Sequence, residues 1–161
     1  MCESRYFDIA VLAVDAFLWY LEIGERDEMK VLIAEDDFTS RQFLQKLLGT
    51  YGQCDVVVNG REAIDAHCLA LDSNEPYDLI CLDIMMPEVD GIEALKAIRI
   101  KETSSNVALQ QEVKIVMTTA LDSPRDFIEA HYSGGCTDYL VKPIDTKKLL
   151  KLLMNYGLIS E

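Results

Sequence analysis

Apolar residues fall into two alternating patterns along this chain. Short continuous runs occur at Lys30-Val-Leu-Ile-Ala34, Cys54 to Val58, Tyr77 to Leu82, Val113 to Met117 and Asp138 to Val141. Runs of this length, bounded by turn residues, read as strands covered on both faces. Between them lie helical patterns. The first carries Phe43, Leu44, Leu47 and Leu48 on one side and is broken by Gly49 to Gly52. Asn59-Gly-Arg-Glu62 has the N-cap and N3 acid of a capping box and opens the second. Asp90-Gly-Ile-Glu93 caps a third that runs to about Ile100. Ser123-Pro124 starts a fourth, with proline at the first helical position, and Gly134-Gly135 ends it. Asp145 caps a last helix that carries Leu149, Leu150, Leu152 and Leu153 and stops at Gly157. Strict strand–helix alternation predicts an α/β fold, a five-stranded parallel sheet between two helical layers with right-handed crossovers.

Two segments stand outside the repeat. Lys101 to Glu112 is polar and long for a connection, which predicts a flexible loop. Residues 1–28 precede the first strand. The division expected is an N-terminal extension (1–28), one domain (29–157) and a short tail (158–161). Ile9 to Leu21 is almost wholly apolar, but Asp15 in its middle makes membrane insertion costly. A secretory signal needs a basic start, and Met1 to Asp8 holds one arginine against two acids. The segment reads as an extra packed helix, as a dimerisation or partner-docking helix, or as a leader upstream of a working start at Met29.

Composition narrows the function. With 161 residues, half of them apolar, the chain can bury a sizeable core. A formal charge of −13 argues against non-specific binding to nucleic acid or anionic membrane. The cysteines, Cys2, Cys54, Cys68, Cys81 and Cys136, are odd in number and form no C-x-x-C pair, as expected of reduced thiols in a cytoplasmic protein. His67 and His131 fall in helical patterns without metal-like neighbours, so surface or half-buried positions are expected.

The polar residues at strand ends carry the chemistry. The first strand ends at Glu35-Asp36, the third at Asp83, the fourth at Thr119 and the fifth at Lys142. Ligands of open parallel sheets bind at the carboxyl ends of strands, so these groups should converge. Clustered carboxylates repel one another unless a cation shares the site, and oxygen donors favour a hard ion such as Mg2+. A nearby lysine and hydroxyl suit an arriving phosphoryl group. Asp83 is then a ligand only, or also a nucleophile toward phosphorus. Acids at strand ends can also simply cap helices, as Asp37 could, and Lys142 could be a plain surface lysine.

Taken in order, Lys30-Val-Leu-Ile-Ala-Glu-Asp-Asp37, Asp78-Leu-Ile-Cys-Leu-Asp-Ile-Met-Met-Pro87 with Asp90-Gly91, Ile115-Val-Met-Thr-Thr-Ala120 and Asp138-Tyr-Leu-Val-Lys-Pro143 resemble the response-regulator receiver family over about residues 29–157. The resemblance implies a flavodoxin-like sandwich with strand order 2-1-3-4-5, an order that flavodoxin shares with the family's chemotaxis member. It implies Glu35 and Asp36 as the acidic pair, with Asp36 the more direct Mg2+ ligand, and Asp83 as phosphoacceptor. It also implies the Met85 carbonyl as a further ligand, Thr119 as switch hydroxyl, Lys142 as the phosphoryl-pairing lysine and Tyr139 as switch aromatic. A cis Lys142–Pro143 bond is expected. The donor would be a sensor histidine kinase or histidine phosphotransfer protein, and the output a downstream protein target.

The sequence departs from the family at Met85 and Leu121, two residues after Asp83 and Thr119, where the family often has polar residues. Apolar side chains there would not orient water, which predicts slow loss of the phosphoryl group. Two rivals remain. A Mg2+-dependent phosphatase with an aspartyl nucleophile usually has a second acid where Met85 stands. A non-signalling scaffold of the same fold would not need the full acid–hydroxyl–lysine set. With the chain ending soon after Gly157, the expectation is a stand-alone signalling protein or phosphorelay intermediate rather than an enzyme. It would act without contact to nucleic acid or membrane, and a homodimer is one option.

Overall fold

The computed structural model describes residues 28–120 and 135–160. The anticipated fourth helix, Leu121, His131 and residues 1–27 lie outside the described residues. Within them the order is β1 (Met29–Ala34), α1 (Phe38–Leu48), β2 (Gly52–Val57), α2 (Gly60–Asp72), β3 (Leu79–Asp83), α3 (Gly91–Ser104), a 3-10 turn (Leu109–Gln111), β4 (Lys114–Thr119), β5 (Asp138–Val141) and α4 (Thr146–Asn155). All strand pairs are parallel and the sheet order is β2-β1-β3-β4-β5. This is the anticipated doubly wound topology.

Alternation along the strands builds two cores. On one face Leu32, Ala34, Ile80, Leu82, Ile115 and Met117 pack with side chains of α2 and α3. On the other, Val31, Ile33, Leu79, Cys81, Val116 and Leu140 pack under Leu44 and Leu48 of α1 and Leu149 and Leu153 of α4. β3 is buried throughout, whereas edge strand β2 is half-exposed. The caps are those read from sequence. Asn59 accepts from the Glu62 amide and Asp90 from the Glu93 amide. Asp145 accepts from the Lys147 and Lys148 amides.

Three expectations need correction. Lys101 to Glu112 is not a loose loop. α3 continues to Ser104, and Glu102, though an acid, is buried. Its Oε1 accepts from the Val113 amide at 2.8 Å and its Oε2 from Arg99 Nη1 at 2.5 Å. Arg99 also donates to the carbonyls of Val113 and Gly135, so a buried, fully paired charge orders a stretch whose polarity suggested disorder. Phe43 is not on the buried face of α1. It is 40% exposed, because the helix turns Leu44 and Leu48 inward. His67 is buried rather than at the surface or half-buried.

Candidate phosphorylation site

Register explains why the strand-end residues meet. Ala34 pairs with Leu82 in the central strands, so Glu35 and Asp83, each one residue further on, lie side by side. Asp83 pairs with Thr118, and Thr119 with Val141, which brings Thr119 and Lys142 to the same end of the sheet. The Lys142 amide donates to the Thr119 carbonyl at 2.7 Å. The Lys142–Pro143 peptide is cis, as anticipated.

The structure brings together Glu35, Asp36 and Asp83, with one carboxylate oxygen from each lying within 4.8 Å of the others. Lys142 Nζ sits 2.7 Å from Glu35 Oε2 and 3.0 Å from Asp83 Oδ2. Glu35 and Asp83 are buried, while Asp36 is exposed, so the cluster is open on one side. Burial foremost, and the negative Asp83 next to it, raise the Glu35 pKa despite the bond with Lys142. Burial alone would lower the Lys142 pKa, but the bonds to Glu35 and Asp83 outweigh it and raise it. One ammonium among three carboxylates leaves an excess of negative charge. An all-oxygen donor set with an open side fits a hard divalent cation, which keeps some of its waters.

The loops around this cluster are tied down by Asp37, by Gly91 and by Arg41, the last of which the sequence pattern does not single out. Arg41, in the first turn of α1, donates through Nη1 to the carbonyls of Glu35 at 2.8 Å and Asp36 at 3.0 Å. The Asp37 amide donates to Glu35 Oε1, and Asp37 itself caps α1 through the Ser40 amide. The one signal for Arg41 is its place one turn into the helix that follows the acid pair. Its bonds go to main-chain carbonyls, which no residue pattern marks. Gly91 explains the Asp90-Gly91 pair. A Cβ there would lie 2.1 Å from the Asp83 carbonyl oxygen, so only glycine lets α3 start against the strand end that holds Asp83.

Thr119 is buried at the end of β4. Tyr139 pairs with Met117, which lies two residues before Thr119, so Tyr139 and Thr119 face the same side of the sheet. Tyr139 is half-buried against the α2–α3 core, and Lys148 Nζ lies 5.6 Å from its ring centre. Met85 follows the cluster with its side chain 61% exposed, and its amide lies 3.4 Å from Asp83 Oδ1.

Residues 31–154 match the response regulator receiver domain family. The chain is 34% identical over 128 residues to the two-component response regulator 24 of Arabidopsis thaliana, covering 78% of this chain and 82% of that protein. It is 32% identical to hybrid signal transduction histidine kinase L of Dictyostelium discoideum, but spans only 7% of that protein. Among solved structures it resembles a chain in the complex of the Saccharomyces cerevisiae histidine phosphotransfer protein Ypd1 with the receiver domain of its downstream response regulator Ssk1. The TM-score there is 0.67, at 32% identity over 81% of this chain and 90% of that one. It also resembles the chemotaxis response regulator CheY4 of Vibrio cholerae, with TM-score 0.63 at 30% identity over 80% of this chain and 98% of that one. With the family match spanning most of the chain and the fold and strand-end cluster in agreement, this protein belongs to the response regulator receiver family.

Proposed function

We propose that the chain is a phosphoryl-accepting receiver that takes a phosphoryl group onto Asp83 from a phosphohistidine donor. One observation carries the reading: a buried Asp83 carboxylate held 3.0 Å from the Lys142 ammonium, beside Glu35 and Asp36. Glu35, Asp36 and Asp83, with the Met85 carbonyl, would hold Mg2+, which when bound offsets charge on the transferring phosphoryl oxygens. An oxygen of Asp83 attacks phosphorus. The bond from phosphorus to the donor nitrogen breaks, and that nitrogen keeps the electron pair. Lys142 pairs with a phosphoryl oxygen in the product, and Glu35 keeps Lys142 in place. Thr119 offers its hydroxyl to another phosphoryl oxygen. Tyr139, on the same face, then repacks toward the position Thr119 leaves, changing the surface of β5 and the adjoining helices.

The donor class, a histidine kinase or histidine phosphotransfer protein, is supported by the relatives' own nature: hybrid kinases, and a receiver crystallised with a phosphotransfer protein. Met85 places an apolar side chain where an acid–base residue would have to stand in a turnover phosphatase, which favours a lasting phospho-aspartate over catalysis. Among the described residues no helix is long and apolar enough to cross a membrane.

The test is incubation of the protein with Mg2+ and a small acyl phosphate, followed by intact-mass measurement. The reading expects one added phosphoryl group, lost in Asp83→Asn and in the absence of Mg2+. Labelling that persists in Asp83→Asn refutes it.

A further inference from the structure

Thr119 has a neighbour that the chemistry described above leaves idle. Thr118 is 1% exposed, and its hydroxyl oxygen has no hydrogen-bond partner among the described residues. Its carbonyl is engaged, accepting from the Ile84 amide at 2.9 Å, so the unpaired group is the side chain. A buried hydroxyl without a partner costs the desolvation of a polar group. Valine, with nearly the same shape, would avoid that cost.

Strand alternation says where that hydroxyl lies. Val116, two residues before Thr118, and Leu140, its register partner on β5, both belong to the core under α1 and α4. Cys81, two residues before Asp83, belongs to the same core. Asp83 and Thr118 are themselves register partners on adjacent strands. Their side chains therefore stand next to each other on that face, on backbones about 4.8 Å apart. Thr119 faces the other way, with Tyr139. The Asp83 carboxylate is held by Lys142 Nζ, 3.0 Å from Oδ2, and by the Met85 amide, 3.4 Å from Oδ1. The Lys142 bond is the one that changes on phosphorylation, when Lys142 pairs with a phosphoryl oxygen.

We propose that Thr118 is a positioning residue for Asp83. As Lys142 turns to the phosphoryl group, the Thr118 hydroxyl donates to the Asp83 carboxyl oxygen that carries no phosphorus. The inference rests on the receiver reading and adds a residue to it. The O–H rotates about its own bond, so the new contact breaks no bond of the β3–β4 ladder. The tandem threonines then serve the two ends of one acyl phosphate, Thr119 the phosphoryl end and Thr118 the carboxyl end. The desolvation cost carried by the unmodified protein is recovered as the group is transferred, which favours the modified state and the path to it.

The test compares wild type, Thr118→Val and Thr118→Ser in the full chain, with Asp83→Asn as the blank. Each protein is melted, and each is incubated with Mg2+ and a small acyl phosphate while the added mass is followed with time. Thr118→Val should melt at or above the wild-type temperature, because it removes an unpaired buried hydroxyl. It should nonetheless label roughly three- to tenfold more slowly, the effect of one lost hydrogen bond. Thr118→Ser keeps the hydroxyl and loses the methyl, so it should melt below wild type yet label at close to the wild-type rate. A merely structural role predicts the reverse, with labelling following stability. The inference is overturned if Thr118→Val melts lower than wild type, if it labels at the wild-type rate, or if Thr118→Ser labels as slowly as Thr118→Val. Any of these results on a labelled wild type leaves the receiver reading standing. A wild type that takes no label overturns the receiver reading and this inference with it.

Discussion

At the scale of single residues, Arg41 and His67 make separable predictions. Arg41 donates to the main-chain carbonyls of both Glu35 and Asp36 and so fixes the loop that carries the two acids. Two charge-assisted bonds from one planar guanidinium set the loop geometry that a metal would need. Arg41→Ala should therefore weaken Mg2+ binding several-fold by calorimetry while the melting temperature moves little. Arg41→Lys should rescue it in part, since both bonds come from the single Nη1, whose two donors an ammonium can imitate but from a shorter side chain. Equal Mg2+ affinity in all three proteins would remove Arg41 from the site's support. His67 is buried with both ring nitrogens lacking a hydrogen bond among the described residues. Burial foremost, then the Arg99 and Lys101 charges, push its pKa down to about 4 from 6.5. A depressed histidine is neutral when folded and protonates more readily when unfolded. The proton linkage contributes nothing at neutral pH, and stability is lost as pH falls from about 6.5 toward 4. The loss is bounded at roughly 3 kcal/mol. His67→Leu should flatten that part of the pH–stability curve relative to wild type; identical curves would contradict the buried, neutral imidazole.

At the scale of elements, helix starts do the positioning. Asn59 and Glu62 form a reciprocal cap in which the Asn59 side chain accepts from the Glu62 amide at 2.8 Å, and Glu62 Oε2 accepts from the Val58 amide at 3.1 Å. Asn59→Ala should cost about 1 kcal/mol in denaturant unfolding. Gly91→Ala should behave against its helix propensity. It should not raise stability, and it should lower the rate of Asp83 labelling, because the added methyl pushes the Asp83 carbonyl out of register. A labelling rate equal to wild type would show that the strand end tolerates the shift. The same elements show what is legible in the sequence. Strands, caps and the strand-end acids and lysine follow from periodicity and capping chemistry, which are local signals. The extension of α3 through Glu102 is not legible, because the partners that neutralise this buried acid, Arg99 and the Val113 amide, are brought to it by helix phase and tertiary packing. The burial of His67 is hidden as well, because a lone histidine in a helical pattern carries no local signal of which way it faces.

At the scale of the whole molecule, the chain carries a net charge of −13. Long-range repulsion from this charge disfavours polyanions. The strand-end cluster has buried Glu35 and Asp83 with an exposed Met85 beside them. With no polar side chain at Met85 to orient water, the phosphorylated protein should hold its group for minutes or longer. Met85→Glu or Met85→Asn should shorten that lifetime, followed by loss of the added mass with time. The central claim is phosphoryl acceptance at Asp83, and the direct measurement is the intact mass of wild type and Asp83→Asn after incubation with Mg2+ and a small acyl phosphate. One added phosphoryl group on wild type and none on the variant is the predicted result. An unmodified wild type, or equal labelling of the two proteins, would contradict it.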